Sequence, residues 1–291
     1  MEKLKKGFYT ALGTPLLKDG SIDKESLEKE INMQIDAGAS GMLLMGSMGM
    51  EASVPDKAYV DAVHTACGAV AGRVPLFVGA MDNSAQRVLE RIERIKDCPY
   101  TAAVVTTPFY FAESDDLHCN FFKMIADKSD KPIFLYDLPG VTKCKITFEM
   151  VKTLSAHKNI KGIKSGDMVL GKLIRQNLPE FEVLYSNLDL FDAALCAGFD
   201  KVLDGMFSST PKNAGRFIKS AHDGDMCACS KYLNNILFLR DTYIKHGVLR
   251  GFTVSMNELG MSGNFAPDYF GVCSKEGADE IIKVMHDIEE L

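Results

Sequence analysis

Lys164 closes the apolar run Ile160-Lys161-Gly162-Ile163-Lys164, directly before a turn at Ser165-Gly166. Tyr136 stands 28 residues earlier and closes another such run, Pro132-Ile133-Phe134-Leu135-Tyr136. An amine and a phenol on the last residues of two buried strands suit nucleophilic and proton-transfer chemistry. An amine held in a partly desolvated pocket has a lowered pKa and attacks carbonyl carbons at neutral pH. Strand ends are also where a parallel α/β barrel keeps its reacting groups. The competing reading is structural: a rim lysine extends its stem along the barrel and places its charge in solvent. Alternate residues of a strand share a face, so Gly162 and Lys164 point the same way, and the bare glycine is expected to leave room beside the lysine stem.

Other segments offer polar groups after apolar runs. Gly46-Ser47-Met48-Gly49-Met50-Glu51 follows the second run; successive backbone N–H groups in such a turn hold an anion, and Ser47 adds a hydroxyl. The same glycines equally suit a plain tight turn. Thr106-Thr107-Pro108-Phe109-Tyr110 follows the fourth run and can bring the Tyr110 phenol to the same rim, or pack it as an aromatic under a loop. Asn187 and Asp189 follow the seventh run and are candidate contacts for a polyhydroxylated substrate, or turn residues. Leu203-Asp204-Gly205-Met206-Phe207-Ser208-Ser209 follows the eighth. Loops at that place in a barrel often bind anions; Asp204 opposes that and suits orienting a hydroxyl, with Ser208 as a further substrate contact.

These residues need a scaffold that brings strand ends together. Apolar runs recur at 8–12, 41–46, 75–80, 102–107, 132–137, 160–164, 182–187 and 201–205. Near-continuous apolar strands are expected when both faces of a parallel sheet are covered. Amphipathic stretches separate them, with helix starts at Asp23, Pro55-Asp56, Ser84, Ser114-Asp115, Thr147, Asp167, Leu188 and Pro211 and stops at Gly38 and Gly72. Eight strand–helix units predict a closed (β/α)8 TIM barrel over residues 1–224. A doubly wound sheet would usually carry a glycine-rich fingerprint after its first strand, and Gly13-Thr14-Pro15 is not one. Residues 225–291 show only helical spacings, through Ile236, Leu237, Leu239, Ile244, Ile281, Ile282, Val284 and Ile288, and predict a C-terminal helical extension acting as cap or interface.

Composition narrows the function classes. The chain has 291 residues, 46% hydrophobic and 25% charged, with a net charge of −6. That balance suits a globular protein with a sizeable core. No basic block offers a surface for a phosphate backbone, which argues against nucleic acid as a partner. Met1-Glu2-Lys3-Leu4-Lys5-Lys6 leads into no apolar run of the kind a signal peptide needs, and no run approaches the ~20 residues that span a bilayer. The eight cysteines include no Cys-x-x-Cys pair, and Cys227-Ala228-Cys229 is one residue tighter than the usual zinc or redox spacing. Reduced thiols and a cytoplasmic location are expected. The six histidines show no ligand spacing, so no metal site is expected.

Taken together, Gly46-Ser47-Met48-Gly49, Thr107-Pro108-Phe109-Tyr110, Tyr136-Asp137-Leu138-Pro139 and Ile160-Lys161-Gly162-Ile163-Lys164 resemble the dihydrodipicolinate synthase and N-acetylneuraminate lyase family, the pyruvate-dependent class I aldolases. The resemblance runs from about Phe8 into the C-terminal helices. It implies that Lys164 forms a covalent Schiff base with a 2-oxo acid, typically pyruvate, so that no separate cofactor is needed. It implies Tyr136 as general acid/base, continued by Ser47 and by Tyr110, whose family equivalent comes across a dimer interface of a homotetramer. Ser47 and Met48 would bind the pyruvate carboxylate through backbone N–H groups, and the Leu203 carbonyl would line the pyruvate pocket.

The chain also departs from the family's pattern. The turn usually reads Gly-Ser/Thr-Thr-Gly-Glu; here Met48 replaces a hydroxyl residue and Met50 the glutamate, and Ser165-Gly166 replaces the usual residues after the lysine. Dihydrodipicolinate synthases proper place an arginine at the position of Val141 to bind the carboxylate of aspartate semialdehyde, and valine cannot replace a bidentate charged contact. The primary expectation is an aldolase or lyase acting on a 2-oxo acid and an aldehyde, such as a sugar-acid fragment. The alternatives are dihydrodipicolinate synthase itself and a non-catalytic barrel that binds a 2-oxo acid.

Overall fold

Each apolar run becomes one strand, and all eight pair in parallel in the closed order β1-β2-β3-β4-β5-β6-β7-β8. The computed structural model describes residues 1–291. The strands are β1 (Gly7–Ala11), β2 (Gly41–Leu44), β3 (Leu76–Gly79), β4 (Ala102–Thr106), β5 (Ile133–Asp137), β6 (Ile160–Ser165), β7 (Glu182–Tyr185) and β8 (Lys201–Asp204). The (β/α)8 barrel expected from the spacing is therefore the fold. Several strands stop short of their apolar runs for local reasons. β2 ends at Leu44 because Met45 takes a left-handed φ of 55°, which turns the chain out of the sheet. β6 runs one residue further than expected because Ser165 still pairs with Asp137 of β5 and Tyr185 of β7.

Outside the sheet lie α1 (Lys24–Asp36), α2 (Asp56–Val70), α3 (Ala85–Arg94), α4 (Asp115–Lys128), α5 (Pro139–Thr142), α6 (Phe148–Ser155), α7 (Met168–Asn177), α8 (Phe191–Cys196), α9 (Met206–Ser209) and α10 (Pro211–His222). Four starts follow the capping chemistry read from the sequence, whereas Ser114 makes no side-chain cap bond and the helix expected from Leu188 begins at Phe191 after a 3-10 turn. Side-chain oxygens of Asp23, Ser84, Thr147 and Asp167 accept from the N–H groups of Ser26, Arg87, Met150 and Leu170 at 3.2, 3.3, 3.3 and 2.9 Å. The helices α5 and α9 were not anticipated; at four residues each they are too short to show a period. The C-terminal stretch is three helices, α11 (Met226–His246), α12 (Val248–Glu258) and α13 (Lys275–Asp287). None of the helices is long and apolar enough to cross a membrane.

Two apolar volumes result. The larger lies between sheet and helices and is continuous with the C-terminal layer: Phe8 and Phe207 share one buried cluster with Phe252, Met256, Ile281 and Met285. The turn at Gly224-Asp225 is thus a boundary in the chain but not in the core. The smaller volume fills the barrel, where Tyr9, Phe77 and Phe134 pack edge to face with centroids 6.3 and 4.9 Å apart.

At the seam where β8 meets β1, one buried carboxyl group holds three elements. Glu30 of α1 accepts the Gly13 N–H at 2.8 Å and the Ser208 hydroxyl at 2.6 Å, while its second oxygen has no partner. Burial pushes its pKa from 4.5 up to about 8, against the opposing pull of those two hydrogen bonds. A raised acid stabilises the fold fully below its unfolded pKa near 4.5, and that contribution is lost as pH rises toward about 8. Stability measured by urea unfolding is therefore expected to fall across this window, by on the order of 3–5 kcal/mol from Glu30 alone. Glu30→Gln, which stays neutral, should flatten the slope; an equally steep slope in the variant would show that Glu30 is ionised throughout.

Candidate active site

The register of β5 against β6 pairs Tyr136 with Lys164 and Asp137 with Ser165. Strand alternation sends the first pair into the barrel and the second outward. Inside, the Lys164 Nζ donates to Tyr136 Oη at 3.0 Å and lies 4.3 Å from the centre of the tyrosine ring. Both side chains are buried, with 6% and 5% exposure, so Lys164 does not reach out to solvent as a rim lysine would. Outside, Asp137 accepts from the Ser165 hydroxyl at 2.7 Å, from the Ile146 N–H at 3.0 Å and from Lys145 Nζ. Lys145 also reaches Asp167 at 3.3 Å. One carboxylate therefore clamps the ends of both strands and the loop before α6. Ser165, which the sequence offered only as a departure, is a member of that clamp.

The room anticipated beside Lys164 is not empty. A Cβ at Gly162 would come 2.4 Å from the Phe134 ring and 2.6 Å from the Glu182 carbonyl oxygen. The glycine is needed so that the Phe134 ring can lie across β6 beneath the lysine.

The turn after β2 brings the third polar group. Ser47 Oγ is 3.3 Å from Tyr136 Oη, so a hydrogen-bonded chain runs Lys164–Tyr136–Ser47. The turn is pinned from both sides. Thr14 donates its hydroxyl to the Gly49 carbonyl at 2.6 Å, and buried Glu51 pairs with Arg91 at 2.8 Å, which also meets Asp82 at 3.3 Å. With Met45 and Met50 both at left-handed φ of 55° and 54°, the N–H groups of Ser47 and Met48 are left without an acceptor in the chain. Two free donors beside a hydroxyl form a concave receptor for a carboxylate. The Met48 side chain folds over Gly205, where a Cβ would come 2.7 Å from its Cγ.

The remaining candidates divide. Leu203 lies wholly inside the barrel, paired with Tyr9 across the β1–β8 ladder. Asp204, one residue on, accepts the Met206 N–H at 2.8 Å; burial pushes its carboxyl pKa up, opposed by that bond and by the nearby charge of Lys164. Asn187 makes only a long contact of 3.5 Å to the Gly166 carbonyl. Asp189 faces the other way and pairs with Arg240 of α11 at 2.9 Å. Ser208 is fully buried and gives its hydroxyl to Glu30, so it has no donor to offer a substrate. Tyr110 is 76% exposed, its ring against Phe111 and its hydroxyl without a partner in the chain. The N–H groups of Phe109 and Tyr110 are both held by the Asn83 side chain at 2.8 Å. Within one chain the relay therefore ends at Ser47. Sequence reasoning did not assign Thr14, Asp137, Ser165 or Asn83. The first lies in the Gly-Thr-Pro segment weighed only as a dinucleotide motif, and the next two are direct neighbours of Tyr136 and Lys164.

A cavity of about 280 Å3 adjoins Ser47 and opens between the loops after β2, β3, β4 and β5 and the C-terminal segment. The assembled geometry is a buried amine touching a phenol, a phenol touching a hydroxyl, free N–H donors beside that hydroxyl, and an adjoining chamber. It suits attack on a carbonyl whose neighbouring carboxylate sits on the turn.

A sequence model described as the dihydrodipicolinate synthetase family matches residues 4–285. A 4-hydroxy-tetrahydrodipicolinate synthase of Stenotrophomonas maltophilia is 28% identical over 222 residues, 75% of each chain. Among solved structures, a prophage protein of the dihydrodipicolinic acid synthase family from E. coli K12, in complex with pyruvate, superposes with a TM-score of 0.91 at 22% identity, over 99% of this chain and 100% of that one. The N-acetylneuraminate lyase of Mycoplasma synoviae superposes at 0.85 and 19% identity, over 97% of each.

The close packing at Gly162 gives a structural test. Gly162→Ala should cost about 1–3 kcal/mol through displacement of Phe134 or β6. A lowered urea midpoint is expected; an unchanged one would mean that the ring moves aside freely.

Proposed function

The chain belongs to the dihydrodipicolinate synthetase family, whose members are lyases and synthases of class I aldolase type, and we propose that this one joins a 2-oxo acid, typically pyruvate, to an aldehyde, or runs the reverse cleavage. The observation that carries the reading is the 3.0 Å contact between Lys164 Nζ and Tyr136 Oη, inside the barrel and beside uncommitted N–H donors.

The neutral Lys164 amine adds to the ketone carbon, the carbonyl oxygen leaves as water with protons passed through Tyr136, and an iminium remains. The iminium nitrogen withdraws electrons, so Tyr136 takes a proton from the methyl group, the C–H pair becomes the enamine double bond and the iminium π pair moves onto nitrogen. That carbon forms the new bond to the aldehyde carbon, the aldehyde π pair moves to its oxygen, and the oxygen takes a proton from Tyr136. Water then hydrolyses the iminium, releasing a 4-hydroxy-2-oxo acid and restoring the amine. Ser47 passes protons onward from Tyr136, and the Ser47 and Met48 N–H groups hold the 2-oxo acid carboxylate. No separate cofactor is required. We read the working unit as a cytoplasmic homotetramer, in which the exposed Tyr110 of a second copy extends the relay beyond Ser47.

The names of the curated relatives favour a second reading, condensation of pyruvate with aspartate semialdehyde. Val141 counts against it, since it brings no cation to the mouth and stands 58% exposed there.

Incubation with pyruvate and borohydride should add a covalent mass at Lys164, absent in Lys164→Ala. Absence of the adduct in the native protein removes the proposal. Tyr136→Phe should keep the packing yet lower turnover by about 10²–10⁴-fold; undiminished turnover would take Tyr136 out of the proton path. Efficient condensation with aspartate semialdehyde, well above that with unrelated aldehydes, would instead establish the second reading.

A further inference from the structure

The chamber beside Ser47 is the part of the barrel mouth that the chemistry at Lys164 leaves unassigned. Met81, Phe109, Leu138, Val141, Leu249 and Phe270 help to make its wall largely apolar, and no lysine, arginine or histidine lines it. Its only carboxyl group, Glu51, faces Arg91 at 2.8 Å. A carboxylate entering this space would lose water and find no cation in exchange, which is strongly unfavourable. A polyhydroxylated chain would lay much of its length against apolar side chains. The Thr142 hydroxyl is already spent on the Leu138 and Cys144 carbonyls, which leaves Ser47, Ser53, Thr106 and Tyr269. Thr106 borders the chamber but is 2% exposed, and its hydroxyl is buried without a hydrogen-bond partner in the chain.

Size points the same way. An apolar cavity of about 150 Å3 accommodates benzene, so a chamber of about 280 Å3 takes one ring with a short substituent. We propose that the second substrate is an uncharged aldehyde bearing one aryl ring or a branched alkyl group, seated in this chamber with its carbonyl toward Ser47 and Tyr136. The inference rests on Lys164 supplying the enamine, whose carbon bonds to the aldehyde carbon while the aldehyde oxygen takes the Tyr136 proton. It differs from the sugar-acid fragment expected from the sequence.

The test has four arms on the full chain. Borohydride trapping with pyruvate reports on Lys164 separately. With pyruvate saturating, kcat/KM for benzaldehyde and 3-methylbutanal should exceed that for succinate semialdehyde and glyceraldehyde by about tenfold or more; equal or faster turnover of the latter pair overturns the inference while leaving the Lys164 chemistry intact. Val141→Arg should cut the benzaldehyde-to-succinate-semialdehyde ratio by about tenfold, and an unchanged ratio counts against the chamber as the selecting element. Calorimetric titration of the unreacted protein needs no Schiff base. Benzyl alcohol should bind about tenfold or more tighter than 4-hydroxybutyrate, and parity or the reverse order overturns the inference even where pyruvate leaves no adduct.

Discussion

Tyr136 and Lys164 meet because β5 and β6 are held in one register, and the remaining features of the mouth are arranged around that pairing. A slip of one residue would turn Tyr136 or Lys164 to the outer face and bring Asp137 or Ser165 inside. The hydrogen bond between Asp137 and Ser165 opposes such a slip from the outer face, and the Ile146 N–H and Lys145 add to its hold. From below, the Phe134 ring over Gly162 fills the barrel, so the lysine stem has a firm floor. An amine on such a base reaches its phenol with little freedom left to lose, which is where geometric preorganisation draws its advantage.

The two halves of the mouth are built differently. The Lys164–Tyr136 pair belongs to the sheet, whereas the chamber beside it is walled by loops and by the C-terminal segment. Its selectivity comes from which groups are missing more than from which are present. Burying an unpaired carboxylate is far costlier than the gain from covering a few apolar side chains, so a wall without a cation discriminates on charge before shape is considered. Met50 and Val141, which depart from the family's usual residues, line this region and make it less polar.

The fold was legible because parallel strands covered on both faces must be apolar throughout, and each of the eight runs did become a strand. Helix starts were legible at Asp23, Ser84, Thr147 and Asp167 because capping is local. Lys164 and Tyr136 could be read as partners since strand ends share one rim. What could not be read depends on packing between distant segments. Nothing near Ser208 in sequence announces that Glu30 will consume its hydroxyl, and nothing near Asp189 announces Arg240. The left-handed φ at Met45 and Met50, which frees the N–H groups of the turn, has no signature in residue type, since methionine rarely adopts it.

The seam between β1 and β8 has a consequence for how the molecule comes together. Every other ladder joins strands adjacent in the chain, so each can zip as soon as the next strand exists. Pairing Gly7–Thr10 with Lys201–Asp204 closes a loop of nearly the whole barrel, and the chain entropy of that closure must be met before its contacts repay it. The ring is thus expected to shut last and part first. Its joint carries a carboxyl group that is most comfortable without its charge, so the joint weakens as pH climbs from the acid range toward about 8 in an otherwise continuous wall.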